Sequence, residues 1–478
     1  MAEQSRTDLC IIGAGALGIA LAQHARRLGA RVVLVDRGPP EAGDGPQHAM
    51  RMAALQASAS RAHAVRQAVQ FGMAGLDPKV SMKNVQERAA ILADELAPLA
   101  SAEHLAASGI EVVSGAARFA DPQTLIVGDR QIRPRAVVIA TGADCKVPPV
   151  PGLDQIDYFT PETILGNSRK LTHLLVVGGD SDALCLAQAF ARLGSQVTLV
   201  PQGPILPEHD PEAVAILLSI LRQEGVVVEE GANVSQFQPR TQGTGVVVEA
   251  NNGAPHNLDV SHVLIANGRH VNLDTLSPQA ARLRRGPDGH YAVGPHGETG
   301  NRRIRVVGAA AGVAPFHTAL LHGRAVVELL LAGRTRQSLQ FSPLVVMTDP
   351  PIAQIGRNLL PARAKARGQR LLRASMAENE QVRAQGAVPG LAKVALAPAG
   401  QVLSAAFIGS GASDLASVMA FAMERDIPLA ALSRLTVVRP SLLASLVQLA
   451  DEAADDETVP RWTQRFAHLA RKLSFTRR

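Results

Sequence analysis

Six residues near the start of the chain, Gly13-Ala14-Gly15-Ala16-Leu17-Gly18, have the types and spacing needed to hold a diphosphate. Gly13 permits a tight turn, Gly15 lets a pyrophosphate approach the backbone, and Gly18 lets a helix sit close on a sheet. A helix starting there points free N–H groups and the positive end of its dipole at the phosphates. Asp36, eighteen residues after Gly18, can accept hydrogen bonds from both ribose hydroxyls. These groups fit the ADP half of a dinucleotide, with FAD the expected ligand. The alternative is a glycine-rich core turn with no ligand.

The elements that must position these residues are legible around them. Leu9 to Ile12 form an apolar strand, an amphipathic helix runs to about Leu28, and Arg31 to Val35 form a second strand ending at Asp36. Gln47 to Gln70 read as a long Ala-rich helix, and Lys83 to Ser108 as another, broken near Pro98. Short strands follow at Glu111–Val113, Ala117–Phe119 and Thr124–Val127, then a buried strand Val137–Ala140 ending in Thr141-Gly142. Pro148, Pro149 and Pro151 mark a boundary.

A second strand–turn–helix–strand unit begins at Leu174, about 165 residues after the first. Its turn reads Gly178-Gly179-Asp180-Ser181-Asp182-Ala183, so Asp180 stands at the second glycine and Ala183 at the third. A carboxylate there repels a pyrophosphate. The following strand ends at Pro201-Gln202, with neither a ribose-binding acid nor an arginine for a 2′-phosphate. A fold that outlives its nucleotide and a weakened NAD(P)H site both stay open. Further on, Val263–Ala266 lead into Asn267-Gly268-Arg269, Val306–Val307 into Gly308-Ala309, and His317–Ala332 form a helix. From Phe341 the pattern becomes mixed α/β, with Asp414–Arg425 and Ser441–Ala454 its clearest helices.

Composition excludes several classes. The chain has 478 residues, 46% apolar and 19% charged, as a soluble multidomain protein does. Only seven of its 48 basic residues are Lys; they are scattered, and 3% of residues are aromatic, which argues against a nucleic-acid surface. Three cysteines, Cys10, Cys145 and Cys185, form no disulfide framework or zinc pattern. With no apolar run long enough for a span and no signal-peptide core at the N-terminus, a cytoplasmic protein is expected. Pro460–Arg478 read as a basic amphipathic helix with Trp462, Phe466, Leu469 and Leu473 on one face. Packing on the protein's own body is favoured over peripheral membrane contact.

The two nucleotide-binding-like units, the phrase Ala140-Thr141-Gly142-Ala143, the stretch Ile205–Glu212 and the phrase Met347-Thr348-Asp349-Pro350 together resemble the class I pyridine nucleotide–disulfide oxidoreductases. That group includes dihydrolipoamide dehydrogenase, mercuric reductase and glutathione reductase. The resemblance implies an α/β protein with two Rossmann-like domains, one for FAD (1–150 and 271–340) and one NAD(P)-binding-like (151–270). A C-terminal α+β dimerisation domain (341–478) would pair two copies as a homodimer. Residues expected at FAD are Gly13, Ala14, Gly15, Gly18, Asp36, Ala117, Thr141, Gly142, Gly308 and Ala309. No residue is expected to be catalytic or to ligate a metal.

The departures from the resemblance fall on its chemistry. The redox cysteine pair would fall at Asp44 and Ala49 by ungapped count, and no cysteine lies between Cys10 and Cys145. The lysine that follows the pair falls at Ala53, and its glutamate partner at Cys185. Losing both spares the cost of one buried charge left alone. The His-Pro-Thr base becomes Arg439-Pro440-Ser441, with Ala444 in place of its glutamate; arginine does not shuttle protons near neutral pH. Ala309 replaces the aspartate that meets the ribityl chain. Cys185 is better read as a small apolar filler than as a thiol near the flavin, and His317 as either a surface or a flavin-side residue. The expected activity is electron transfer from NAD(P)H through FAD to a small non-disulfide acceptor such as a quinone. The alternative is a non-catalytic dimer that binds FAD or a partner.

Overall fold

The computed structural model describes residues 7–38, 46–250, 253–271, 273–284, 291, 293–313, 315–335, 340–356, 368–386 and 390–455. The chain divides into two units, residues 1–207 with 218–339, and residues 208–217 with 340–478. The short stretch 208–217, expected in the middle of the chain's second nucleotide-binding-like domain, thus groups with the C-terminal unit.

In the first unit, β1 (Leu9–Ile12), α1 (Ala16–Arg27) and β2 (Val32–Asp36) open the chain. Gly29, with φ +85°, ends the turn after α1 in a conformation that side-chain-bearing residues avoid. Next come α2 (Pro46–Arg66), α3 (Met82–Asp94), α4 (Ala102–Ala107) and β3 (Ile110–Ser114). The helix expected over Lys83–Ser108 is in three pieces. Pro98 sits in a tight turn, Ala97–Ala100, because it lacks an N–H and its ring clashes with the preceding helical turn. An antiparallel hairpin sheet follows, β4 (Ala117–Asp121), β5 (Thr124–Val127) and β6 (Arg130–Ile132), then β7 (Ala136–Ile139) and β8 (Asp144–Cys145).

The repeat comprises β9 (His173–Val177), α5 (Ser181–Arg192), β10 (Gln196–Val200), α6 (Pro211–Gln223) and β11 (Val226–Val228). Antiparallel strands β12 (Ala232–Pro239), β13 (Thr244–Ala250) and β14 (His256–Val260) precede β15 (His262–Ile265). Then β16 (Arg269–His270) pairs with β8, and β17 (Ile304–Val306) leads towards α7 (Phe316–Ala332). The first sheet has the order β17-β7-β1-β2-β3 and the second β11-β10-β9-β15; every neighbouring pair in both is parallel. Such strands are covered on both faces, which is why LCII, AVVI and LLVV read as unbroken apolar runs and are buried throughout.

The second unit combines an antiparallel sheet with helices, as the mixed α/β pattern led one to expect. Its strands run in the order Leu344–Val346, Ile352–Ile355, Val402–Ile408, Leu391–Leu396, Arg370–Ser375. The helices Ala412–Glu424 and Ala444–Asp455 cover it through Leu415, Met419, Leu446 and Leu449. The amphipathic segment expected over Pro460–Arg478 lies outside the described residues. Among the described residues, no helix is long and apolar enough to cross a membrane.

One charge pair is buried in this unit. Lys393 Nζ donates to Asp210 Oδ2 at 2.7 Å, with both side chains less than a tenth exposed. Asp210 Oδ1 meanwhile accepts from the N–H groups of Glu212 and Ala213. Lys393 also reaches Glu212 Oε2 at 3.5 Å, so it is removal of the lysine that takes the countercharge from the buried Asp210. Lys393→Met is expected to lower the unfolding free energy by about 3 kcal/mol, read as an earlier urea midpoint; an unchanged midpoint would contradict this account of the pair.

Candidate functional site

Parallel strands place all their carboxyl ends on one edge of a sheet, and in such sheets that edge binds ligands. Gly13 follows β1, Asp36 ends β2, Thr141-Gly142 follow β7, and Gly308-Ala309 follow β17. Ala117 opens β4 just beyond the end of β3; two residues earlier, the N–H of Gly115 donates to the Asp36 carbonyl at 2.7 Å. Seven of the ten residues expected at FAD thus follow or end strands of the first sheet at this edge, while Gly15 and Gly18 belong to the start of α1 and Ala117 to the separate sheet of β4–β6. Thr141 is exposed, Ala14, Asp36 and Ala309 are half-buried, and Gly308 is buried against Leu17 of α1. Oδ1 of Asp36 accepts from the Gly38 N–H at 3.0 Å.

Sterics explain two of the glycines. Gly13 has φ +112°, and a Cβ on it would lie 2.4 Å from the Ala140 carbonyl oxygen. A Cβ on Gly18 would lie 1.8 Å from the Gly13 oxygen. The helix can only approach the turn this closely if both positions lack side chains.

The second turn repeats this framework. Gly178 has φ +141°, and a Cβ there would lie 1.7 Å from the Ala266 oxygen, as Gly13 faces Ala140. The Gly178 N–H donates to Val200 just as the Gly13 N–H donates to Val35, at 2.8 and 3.0 Å. At the third glycine position, however, Ala183 carries a fully buried methyl, so the two turns cannot share one geometry.

The helix starts then part ways. The first turn of a helix leaves N–H groups without intrahelical acceptors. At α1 the N-cap is Gly15; no side chain caps it among the described residues, and the first turn holds no acid. At α5 the N-cap is Asp180. Its Oδ1 accepts from the Ala183 N–H at 2.9 Å and its Oδ2 from the Gly268 N–H at 3.0 Å. Asp182 adds a second carboxylate to that turn. The first turn therefore fits a diphosphate, and the second, with its carboxylates charged, does not.

Arg269 joins the two regions. It donates to the Ala143 carbonyl beyond β7 at 3.2 Å and pairs with Glu162 at 2.8 Å and Asp182 at 3.3 Å. The sequence showed Arg269 only as the end of a turn. Its partners come from three separate segments, which no local pattern reveals. Asp180 carried a readable signal, since Asp directly before a helical run is an N-cap preference.

The place of the missing lysine–glutamate pair is filled differently. Ala49 and Ala53 are exposed on α2, while Asp44 lies outside the described residues. Gln56 and Ser181 hydrogen-bond the Cys185 thiol. Further along α5, Arg192 makes two bonds to Glu224, at 2.7 and 2.8 Å, and reaches Ser60 of α2 at 3.3 Å. The contacts of Gln56 with Cys185 and of Ser60 with Arg192 thus fasten α2 to α5, and the ion pair ties α5 to the end of α6. In the second unit, Arg439 is exposed and pairs with Glu380 at 3.6 Å, and Ala444 begins a helix. His317 is exposed at the start of α7.

No thiol is activated. Burial pushes Cys10 and Cys185 up to about 12. Burial and, after it, Glu162 push Cys145 up to about 11, and its thiol lies 3.3 Å from the Ile265 carbonyl oxygen. Among the described residues, no group of His, Cys, Asp or Glu is placed to hold a metal ion.

Comparison with known proteins gives a consistent result. Residues 7–323 match the pyridine nucleotide-disulphide oxidoreductase family model, and residues 342–450 match the dimerisation domain of the same family. A mercuric reductase of Streptomyces lividans is 29% identical over 437 residues, spanning 89% of this chain and 92% of that protein. A dihydrolipoyl dehydrogenase of Haloferax volcanii is 27% identical over 464 residues, spanning 94% and 96%. Among solved structures, the HOCl-induced flavoprotein disulfide reductase RclA from Escherichia coli matches with a TM-score of 0.79 at 23% identity, over 93% of this chain and 99% of that one. At that identity the match speaks for the fold.

The raised thiols set an expectation. Thiolates, not thiols, are alkylated. Native protein at about pH 8 should label slowly with iodoacetamide at all three cysteines, and fully only in denaturant, as read by mass spectrometry. One fast-labelling cysteine would contradict the burial described here.

Proposed function

Because the chain belongs to the pyridine nucleotide-disulphide oxidoreductase family, whose members bind FAD and use NAD(P)H, we propose that it is an FAD-binding flavoprotein oxidoreductase. Electrons would pass from NAD(P)H through FAD to a non-disulfide acceptor. The observation that carries this reading is the bare N-terminus of α1, where Gly15 leaves the first-turn N–H groups to an outside acceptor. Gly13, Ala14, Gly15 and Gly18 would hold the pyrophosphate, and Asp36 the ribose. Ala117, Thr141, Gly142, Gly308 and Ala309 would line the rest of the edge, with Ala309 offering no side-chain bond to the ribityl chain. Bound FAD supplies reversible two-electron chemistry.

The chain's own residues supply no thiol partner for that chemistry. Its three cysteines are spread over β1, β8 and α5, and each is held protonated. Nor does Arg439 offer a proton where the family has its histidine. A diffusible acceptor that needs no dithiol relay suits this set, and a quinone is such a class. The dimerisation-domain match over residues 342–450 supports a homodimer. A second reading, a non-catalytic dimer that holds FAD or a partner, is favoured by one observation: Asp180 caps the helix at which a pyridine nucleotide would bind.

Purified protein separates the two. Under the first reading it is yellow, and its flavin absorbance bleaches under anaerobic addition of NADH or NADPH. A folded, colourless protein would sink the oxidoreductase reading and leave a partner-binding dimer without FAD. A coloured protein that stays oxidised with either nucleotide would select the non-catalytic one.

A further inference from the structure

We propose that Asp180 decides whether this chain admits a pyridine dinucleotide: its carboxylate is a built-in occupant of the phosphate seat in the second glycine turn, and it yields that seat when protonated. The proposal deepens the oxidoreductase reading, on which its role in turnover rests. It goes further than a lost glycine. A loop that had merely lost its second glycine would be bare or collapsed. Here the replacing side chain does what a bound phosphate would do, accepting from the first-turn N–H of Ala183 and from the N–H of Gly268 across the turn.

The backbone frame of the phosphate turn persists, although the ribose acid is absent at Pro201-Gln202. Gly178 keeps its left-handed conformation and its close approach to Ala266. The strand–helix–strand framework repeats the register of the first unit. The obstacle is therefore one side chain and its charge, reinforced by the neighbouring Asp182 and by the Ala183 methyl. A resident anion and an incoming diphosphate compete for the same N–H donors and repel each other.

The surroundings also make this anion conditional. Charged and titratable groups face Asp180 from each neighbouring segment. Asp182 comes from α5, Arg269 from the turn after β15, itself paired with Glu162, and Cys145 from β8. Burial, and after it Asp182, raise the Asp180 carboxyl to about 6, against the pull of the Ala183 and Gly268 N–H groups and of Arg269. The sign follows directly. Above that value the carboxylate is charged and holds its two donors. Below it the neutral acid is a weaker acceptor and no longer repels a diphosphate. Nucleotide affinity should therefore rise as pH falls through this range, opposite to a site whose own carboxylate binds the ligand's hydroxyls.

The probe is ADP-ribose, which carries the pyrophosphate and ribose and withstands mild acid. Its binding to FAD-saturated full-length protein is measured by equilibrium dialysis at about pH 7.5 and about pH 5.5. Wild type should bind roughly tenfold or more tightly at the lower pH. Asp180→Gly with Ala183→Gly should gain at least as much at the higher pH and lose the pH dependence. Asp180→Ser, which keeps a hydroxyl cap on α5 without the charge, decides the matter if the double variant fails to fold. Tight, pH-independent binding by wild type would overturn the proposal, as would folded variants that gain nothing. A colourless protein would sink the flavoprotein reading alone, because the difference between wild type and the Asp180 variants still decides this one.

Discussion

A helix that begins at the end of a parallel strand exposes N–H groups that must find acceptors. What supplies those acceptors distinguishes the two halves of the first unit. At α1 the cap is a glycine, so the donors await something outside the chain. At α5 the cap is an aspartate, and the chain satisfies its own donors. The same strand order, the same positive-φ glycine and the same close carbonyl lead into both turns. One side chain then converts a cradle into a capped helix.

A second constraint is that buried charge must be matched. The lysine and glutamate that family resemblance places between α2 and α5 are both gone, and Gln56 meets Cys185 instead. The helices remain fastened, since Arg192 and Glu224 form a buried pair within reach of Ser60. In the second unit Lys393 and Asp210 form another such pair, at a site with no part in the nucleotide edge. Ion pairs in this chain thus hold separate segments together, among them Arg269 with Glu162 and Asp182 at the second turn.

These replacements are coherent. Three thiols are held protonated, Arg439 is exposed and the second turn is capped by its own aspartate. The bare turn at α1 is kept.

The sequence by itself determined the repeat, the bare first turn and the losses. Glycine spacing, apolar strands and the absence of cysteine between Cys10 and Cys145 are local facts, and local facts can be read from a string. It showed the C-terminal unit as mixed α and β and placed its two clearest helices, but left its strands undrawn, because the pairing of five antiparallel strands is nonlocal. Only the tertiary structure decided where Asp180 points. Its second acceptor bond reaches Gly268, 88 residues away, and Arg269 gathers partners from three segments. Lys393 finds Asp210 across 183 residues. Such contacts follow from how sheets and turns stack, and a residue's type alone does not say which distant N–H or carboxylate it will meet.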